Sequence, residues 1–306
     1  MNDGPVPKNE ALRHVAWTRG VGCSDVADLL AGGRAMRIEG DLRASCINGR
    51  VDAVVTRKLT SFDLVPVVVP QSVEVATVER ITVAVGEGPH SPFAVAVAAR
   101  LGTTMAVPVV ASSVYRSDEE HDATLARLHE LSRRFASVEI NAVLGDSAVK
   151  LVADLDPTTL LVVGAPGGSW FQRQIYGPGH RLTVSAPSGV LVVRSAPARC
   201  FHVATDDHES IVGAEMSVAD ARRVIRHSVV AVADHGTLVG VVRADELAGS
   251  GEDLTMRDVM HPPVSVDAAE PVDAVEDVRV FFDGSPIPVI DGSGRIIGMV
   301  PNPLLV

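Results

Sequence analysis

The clearest chemical spacing in this 306-residue chain is that of the glycines in "GAPGGSWFQRQIYGPGH", residues 164–180. Gly164, Gly167 and Gly177 are spaced to turn backbone amides toward an anion, with Arg173 or His180 as a candidate phosphate partner. The position after the last glycine, where a hydroxyl would add a bond, holds Pro178, which fixes φ and has no N–H to donate. Losing a hydroxyl bond to a charged oxygen costs about 1.5–3 kcal/mol, roughly 10- to 100-fold in affinity. A second cluster, "HVATDDHE" at 202–209, gathers His202, Asp206, Asp207, His208 and Glu209. Its spacing fits no recognised ligand set and reads as a polar linker, so no metal is expected. Ser91 has no G-x-S-x-G frame; before Pro92 it reads as a helix cap, with His90 as its neighbour. Cys23, Cys46 and Cys200 lack C-x-x-C spacing, and no Walker lysine or nucleophile–base pair is present, so catalysis is not expected.

Alternating strands and helices position these residues. "RITVAV" is a buried-strand run, followed by helical "SPFAVAVAARLG", strand "TMAVPVVAS", a helix over 118–135, strand "VEINAVLG", helix "SAVKLVADLD", strand "TLLVVGAPGG" and strand "GVLVVRS". Continuous apolar strands between helices predict a parallel α/β sheet, whose ligands sit beyond the C-terminal strand ends. There lie both "GEGPHS", with Gly86 and Glu87, and the glycine loop. "AMRIEGDLRASCINGRVDAVVTRK" (35–58) repeats the layout of 138–167 around Gly40-Asp41 and Gly145-Asp146, which predicts a first copy without its opening strand–helix–strand. Residues 199–306 hold a second duplication, each copy a strand, a helix and a β-hairpin ("ADHGTLVGVV" and "IDGSGRIIGMV"). The expected domains are therefore 1–75, 76–197 and 198–306.

Hydrophobic residues make up 46% of the chain and aromatics 4%, as expected for Val-rich strands under Ala-rich helices. Residues 1–75 carry 9 basic and 9 acidic side chains, 76–200 carry 11 and 11, and 201–306 carry 7 and 18. The net charge of -11 thus sits in the last third, and no basic stripe invites a nucleic acid. Neither a membrane span nor a signal peptide is legible, so a reduced, cytoplasmic location is expected.

With its G-x2-G-x9-G spacing, "RITVAV", "HSPFAVAVAARLG" and "APSGVLVV", the 79–195 block resembles the universal stress protein family. The resemblance implies a five-stranded, Rossmann-like parallel sheet, preceded by a truncated similar unit, and ATP or AMP as ligand. Two positions depart from the family's pattern. Gly86 stands where a strand-end Asp is expected, with Glu87 the nearest substitute, and Pro178 replaces Ser or Thr. In the first copy "TRKLTS" (56–61) stands where the glycines would be, and reads as structural. Residues 199–306, with "LTMRDVMHPPVSVDAAEPV", resemble a tandem CBS (Bateman-type) pair, a regulatory module that often binds adenosine ligands. Against that family's Gly-x-x-Thr/Ser-x-x-Asp ending, the first repeat has Gly240, Arg243 and Glu246, and the second Gly298, Pro301 and Leu304, which favours the first. Met256 and Met260 read as interface packing; Trp170 either stacks on a base or packs on its helix. The combined expectation is a non-enzymatic regulator sensing an adenine nucleotide, or else a dimerisation scaffold that has lost its ligand. A homodimer is expected, since "GVLVVRS" reads as an edge strand whose exposed apolar edge needs cover and the resemblance to CBS pairs, which often dimerise, implies the same.

Overall fold

The computed structural model describes residues 12–59, 62–146, 148–153, 155–165 and 188–301. The chain divides into two compact units: the larger runs to Cys46 and again from Val51 to Ala196, and the smaller joins Ile47–Arg50 to the residues from Pro197 onward.

In the larger unit the Val-rich runs become strands β1 (Val15–Trp17), β2 (Met36–Arg37), β3 (Ala53–Val55), β4 (Val67–Gln71), β5 (Arg80–Ala84), β6 (Val109–Tyr115), β7 (Val138–Leu144), β8 (Thr159–Gly164) and β9 (Val190–Arg194). Helices α1 (Cys23–Ala31), α2 (Leu42–Asn48), α3 (Ser91–Met105), α4 (Asp118–Ser132) and α5 (Ala148–Ala153) connect them. The strands form one sheet in the order β2-β1-β3-β4-β9-β8-β5-β6-β7. The sheet therefore has nine strands, not the expected five. The cause is β4, which pairs antiparallel with β9 from Val67↔Arg194 to Gln71↔Val190 and fuses two parallel halves. Side chains alternate between the faces: Val68, Leu191 and Val193 enter one apolar cluster, and Val67, Val69, Val190 and Val192 the other. Burial on both faces explains why these strands read as continuous apolar runs.

Two further expectations change here. The first half does have an opening strand and helix, β1 and α1, with β1 between β2 and β3. Relative to the second half it is short by one strand–helix unit. Its β1 is three residues long and lies before the compared segment, so the repeat reading missed it. β9, expected as an edge, is an inner strand held by β8 and β4 of the same chain, so the sequence argument for a dimer through that strand falls.

The smaller unit has two sheets, β10 (Ile211–Gly213), β11 (Val229–Asp234) and β12 (Thr237–Arg243), and β13 (Val266–Asp267), β14 (Ile287–Ile290) and β15 (Ile296–Val300). Each pairs its first two strands in parallel and its last two as the expected hairpin, with a register shift at Val232/Ala233 in one copy and Val289/Ile290 in the other. His235 and Gly236 both take positive φ, 48° and 85°, as a two-residue hairpin turn requires. Helices α6 (Cys200–Val203), α7 (Val218–Val224), α8 (Ala244–Leu247), α9 (Met256–Val259) and α10 (Val275–Phe282) complete it.

The copies exchange their leading segments. The segment carrying α6 pairs with the second copy, through Phe201 N–H to Ala268 O (3.1 Å) and the Thr205–Met299 bridge. The segment carrying α9 pairs with the first, through Met256 N–H to Met216 O (2.9 Å) and the Val241–His261 bridge. Met256 is fully buried in the first copy's core with Met260 packed beside it, the interface role expected of both.

Candidate functional site

The sequence nominates two places. The first is the C-terminal end of β5 and β8. Gly86 and Gly164 do arrive there together, but the space over Gly164 belongs to His90: a Cβ on Gly164 would lie 3.2 Å from His90 Cβ and 3.5 Å from its carbonyl carbon. The His90 ring is fixed by Ser195, whose backbone N–H donates to Nδ1 at 3.2 Å while its Oγ lies 2.8 Å from the same nitrogen. An Nδ1 that accepts an N–H leaves the ring proton on Nε2. Burial, and then the Arg194 charge, lower the His90 pKa. Ser91 is not the cap, since the cap position is His90; its hydroxyl instead donates to Gly86 O (2.9 Å) and accepts the Gly86 N–H (3.2 Å). Glu87 pairs with Arg127 of α4 at 3.1 Å. Gly167, Trp170, Arg173, Gly177, Pro178 and His180 lie outside the described residues.

The second place is the end of the first repeat in the smaller unit. Arg243 Nε lies 3.7 Å from Asp245, and the Glu246 carboxylate is held by His261 Nε2. Gly240 has a packing reason: a Cβ there would lie 2.6 Å from His261 O and 2.7 Å from Met260 Sδ, so the exchanged segment runs directly over it. Gly298 repeats this, with Thr205 O at 2.8 Å and Ala204 Cβ at 3.1 Å. Pro301 closes the described part of the second repeat, and Leu304 lies outside it.

An open cavity of about 270 Å³ lies in the first repeat, lined by His208, Glu209, Ile211, Val224 and Arg226. Neither Arg243 nor Glu246 is among its lining residues. Ile211 opens β10 and Val224 closes α7, while Arg226 is steadied by N–H donation to Arg223 O (2.8 Å) and Ile225 O (3.1 Å). The cavity thus presents two apolar side chains beside a guanidinium, an imidazole and a carboxylate. Sequence reasoning took His208 and Glu209 as linker, because only the fold brings them near Val224 and Arg226. Among the described residues no group of three or more His, Cys, Asp or Glu could hold a metal, and no helix is long and apolar enough to cross a membrane.

No family model matches the sequence, and no curated protein matches it. Solved structures do resemble part of the chain. The soluble part of a magnesium transporter is 22% identical over 34% of this chain and 44% of its own, with a TM-score of 0.30. The CBS domains of a transcriptional regulator from Streptococcus pneumoniae are 20% identical over 35% of this chain and 94% of their own, with a TM-score of 0.31. CBSX2 in complex with AMP is 23% identical over 31% of this chain and 82% of its own, with a TM-score of 0.26. This chain thus spans less than half of the transporter fragment.

Proposed function

We propose that the smaller unit is a CBS-type regulatory pair that takes an adenine nucleoside monophosphate in the cavity of its first repeat. What carries this reading is the cavity's lining, in which a cation, a carboxylate and two apolar side chains meet in the better-preserved copy of a duplicated unit. Arg226 and His208 suit a phosphate, Ile211 and Val224 a base, and Glu209 the ribose hydroxyls. A volume of about 270 Å³ is near the lower limit for small-molecule sites, which favours a mononucleotide over a larger ligand. Glu246 is an alternative ribose partner, available only when His261 releases it.

We read the nine-stranded sheet as a universal-stress-type half joined to a shortened copy. We do not place the nucleotide over Gly164, where His90 stands. The argument for a dimer through β9 falls, since that strand is covered within the chain. Calorimetric titration of the full chain with AMP, ADP and ATP tests the proposal. Saturable AMP binding that weakens about 10- to 100-fold in Arg226→Ala is expected, the cost of one charge-assisted hydrogen bond. Binding lost in Glu246→Ala but intact in Arg226→Ala moves the site out of the cavity, and no heat with any nucleotide ends the reading.

A further inference from the structure

In the first half of the nine-stranded sheet, β1 and β3 run side by side and end on matching residues, Thr18-Arg19-Gly20 and Thr56-Arg57-Lys58. The chain leaves β1 through α1 to β2 on one side, while β3 flanks β1 on the other. Such a switch point, at the C-terminal ends of neighbouring strands, is where α/β sheets hold ligands. Its floor is closed by Thr18 Oγ1 donating to Thr56 Oγ1 at 3.0 Å and the Thr18 N–H to Val55 O at 3.0 Å. The loop that carries Arg19 lies against the stem of Arg57, for a Cβ on Gly20 would be 3.2 Å from Arg57 Cβ and 2.9 Å from Cys23 Sγ. Only glycine fits there.

Arg19, Arg57 and Lys58 are exposed, and among the described residues none of the three makes a hydrogen bond or ion pair. Their surroundings are otherwise settled. Arg37, at the end of β2, pairs with Glu39 at 2.9 Å and lies 5.5 Å over the Trp17 ring. Asp28 accepts the Ala35 N–H, Asp41 the Arg43 N–H, and Asp25 a bond from Ser24. Three cations on two neighbouring strand ends, without an ion-pair partner among the described residues, repel one another. A compact anion removes that repulsion and supplies acceptors for two guanidinium forks. The corresponding point of the second half differs in kind, since His90 covers Gly164 there.

We propose that the β1–β3 switch point is an anion site for a phosphate or pyrophosphate group, held by Arg19, Arg57 and Lys58. This assigns "TRK" (56–58) a ligand role where sequence spacing read it as structural. The site is separate from the cavity of the smaller unit and does not depend on it.

The test is titration of the full chain at low ionic strength with inorganic phosphate and with inorganic pyrophosphate, each alone. Saturable binding, tighter for pyrophosphate and weakened by added salt, is expected. The double variant Arg19→Gln/Arg57→Gln loses at least about 100-fold in affinity. It keeps or slightly raises the parent Tm in phosphate-free buffer, because both side chains are exposed, make no hydrogen bond among the described residues, and lose their mutual repulsion. In an Arg226→Ala background, which removes the phosphate partner proposed for the cavity of the smaller unit, pyrophosphate binding persists and is lost when Arg19→Gln/Arg57→Gln is added. Absence of saturable binding in the parent, unaltered binding in the double variant, or no binding left in the Arg226→Ala background would each overturn the proposal. So would a surface that takes a single-stranded RNA oligomer but no pyrophosphate.

Discussion

Replacing Gly240 by alanine tests whether the exchange of leading segments holds the smaller unit together. The new Cβ would stand 2.6 Å from His261 O, 2.7 Å from Met260 Sδ and 2.8 Å from Met260 Cγ. The methionine's flexible end can move, but the carbonyl is backbone, and the same peptide segment is pinned by two bonds. His261 N–H donates to Val241 O at 2.8 Å, and Val241 N–H donates to His261 O at 3.2 Å. Relieving the clash means lifting this segment. That weakens two hydrogen bonds, each contributing about 0.5–1.5 kcal/mol, and loosens packing at a cost of about 1–3 kcal/mol. A destabilisation of about 2–4 kcal/mol follows, equivalent to roughly 30- to 1000-fold in the opening equilibrium. Hydrogen exchange reads it locally: the Val241 and His261 amides should lose protection by that factor in Gly240→Ala. Both tryptophans, Trp17 and Trp170, lie before Pro197, so the smaller unit is best followed by circular dichroism or exchange rather than fluorescence. Unchanged protection of His261, with an unfolding free energy within about 0.5 kcal/mol of the parent, would refute the reasoning, since such a shift is typical of an uninvolved surface site.

Two other perturbations address single contacts. Ser285 is buried and its Oγ accepts the Val229 N–H at 2.9 Å, a bond between the two copies, so Ser285→Ala leaves a strand amide unsatisfied. A loss of about 1–3 kcal/mol in denaturant unfolding is expected; a neutral outcome would mean that the amide finds another acceptor. His90 has its pKa lowered by burial and the Arg194 charge, so between its folded pKa and the ordinary value of 6.5 the unfolded chain binds more protons. Its contribution to stability is therefore complete above about pH 6.5 and lost as pH falls toward the folded pKa. Tm should drop more steeply from pH 7.5 to 5.5 in the parent than in His90→Gln, which keeps an acceptor for the Ser195 N–H without titrating; parallel pH profiles would remove His90 from the account.

Much of the fold was legible because burial on both faces of a parallel sheet leaves unbroken apolar runs, as in "LLVVG" and "VLVVR". The two hairpins were legible from their turn residues. Pairing between distant strands was not. Nothing local in "VPVVVP" says that β4 will meet β9 antiparallel, because that pairing links residues more than 120 positions apart, as Val67↔Arg194 shows. β1 was missed for the opposite reason: three residues are too few for a period to register. The cavity of the smaller unit is illegible by the same logic, since its lining comes from a linker, a strand start and the end of a helix.

The candidate sites show how a motif and its chemistry can part company. Gly240 and Gly298 sit where a ligand motif puts glycine, yet each makes room for a crossing backbone, and the Glu246 carboxylate already holds His261. Gly164 sits where a phosphate loop begins, yet His90 fills the space above it and is itself bonded to Ser195. A polar group already bonded within the fold must give up that bond before it can bind a ligand, so its net contribution to affinity shrinks accordingly. Arg19, Arg57 and Lys58 carry no such cost, because among the described residues they have no hydrogen-bond or ion-pair partner to leave, and an anion offsets their like charge. Spare hydrogen-bonding capacity and uncompensated charge, more than glycine spacing, therefore make the β1–β3 ends the place, among the described residues of the larger unit, where a ligand has most to gain.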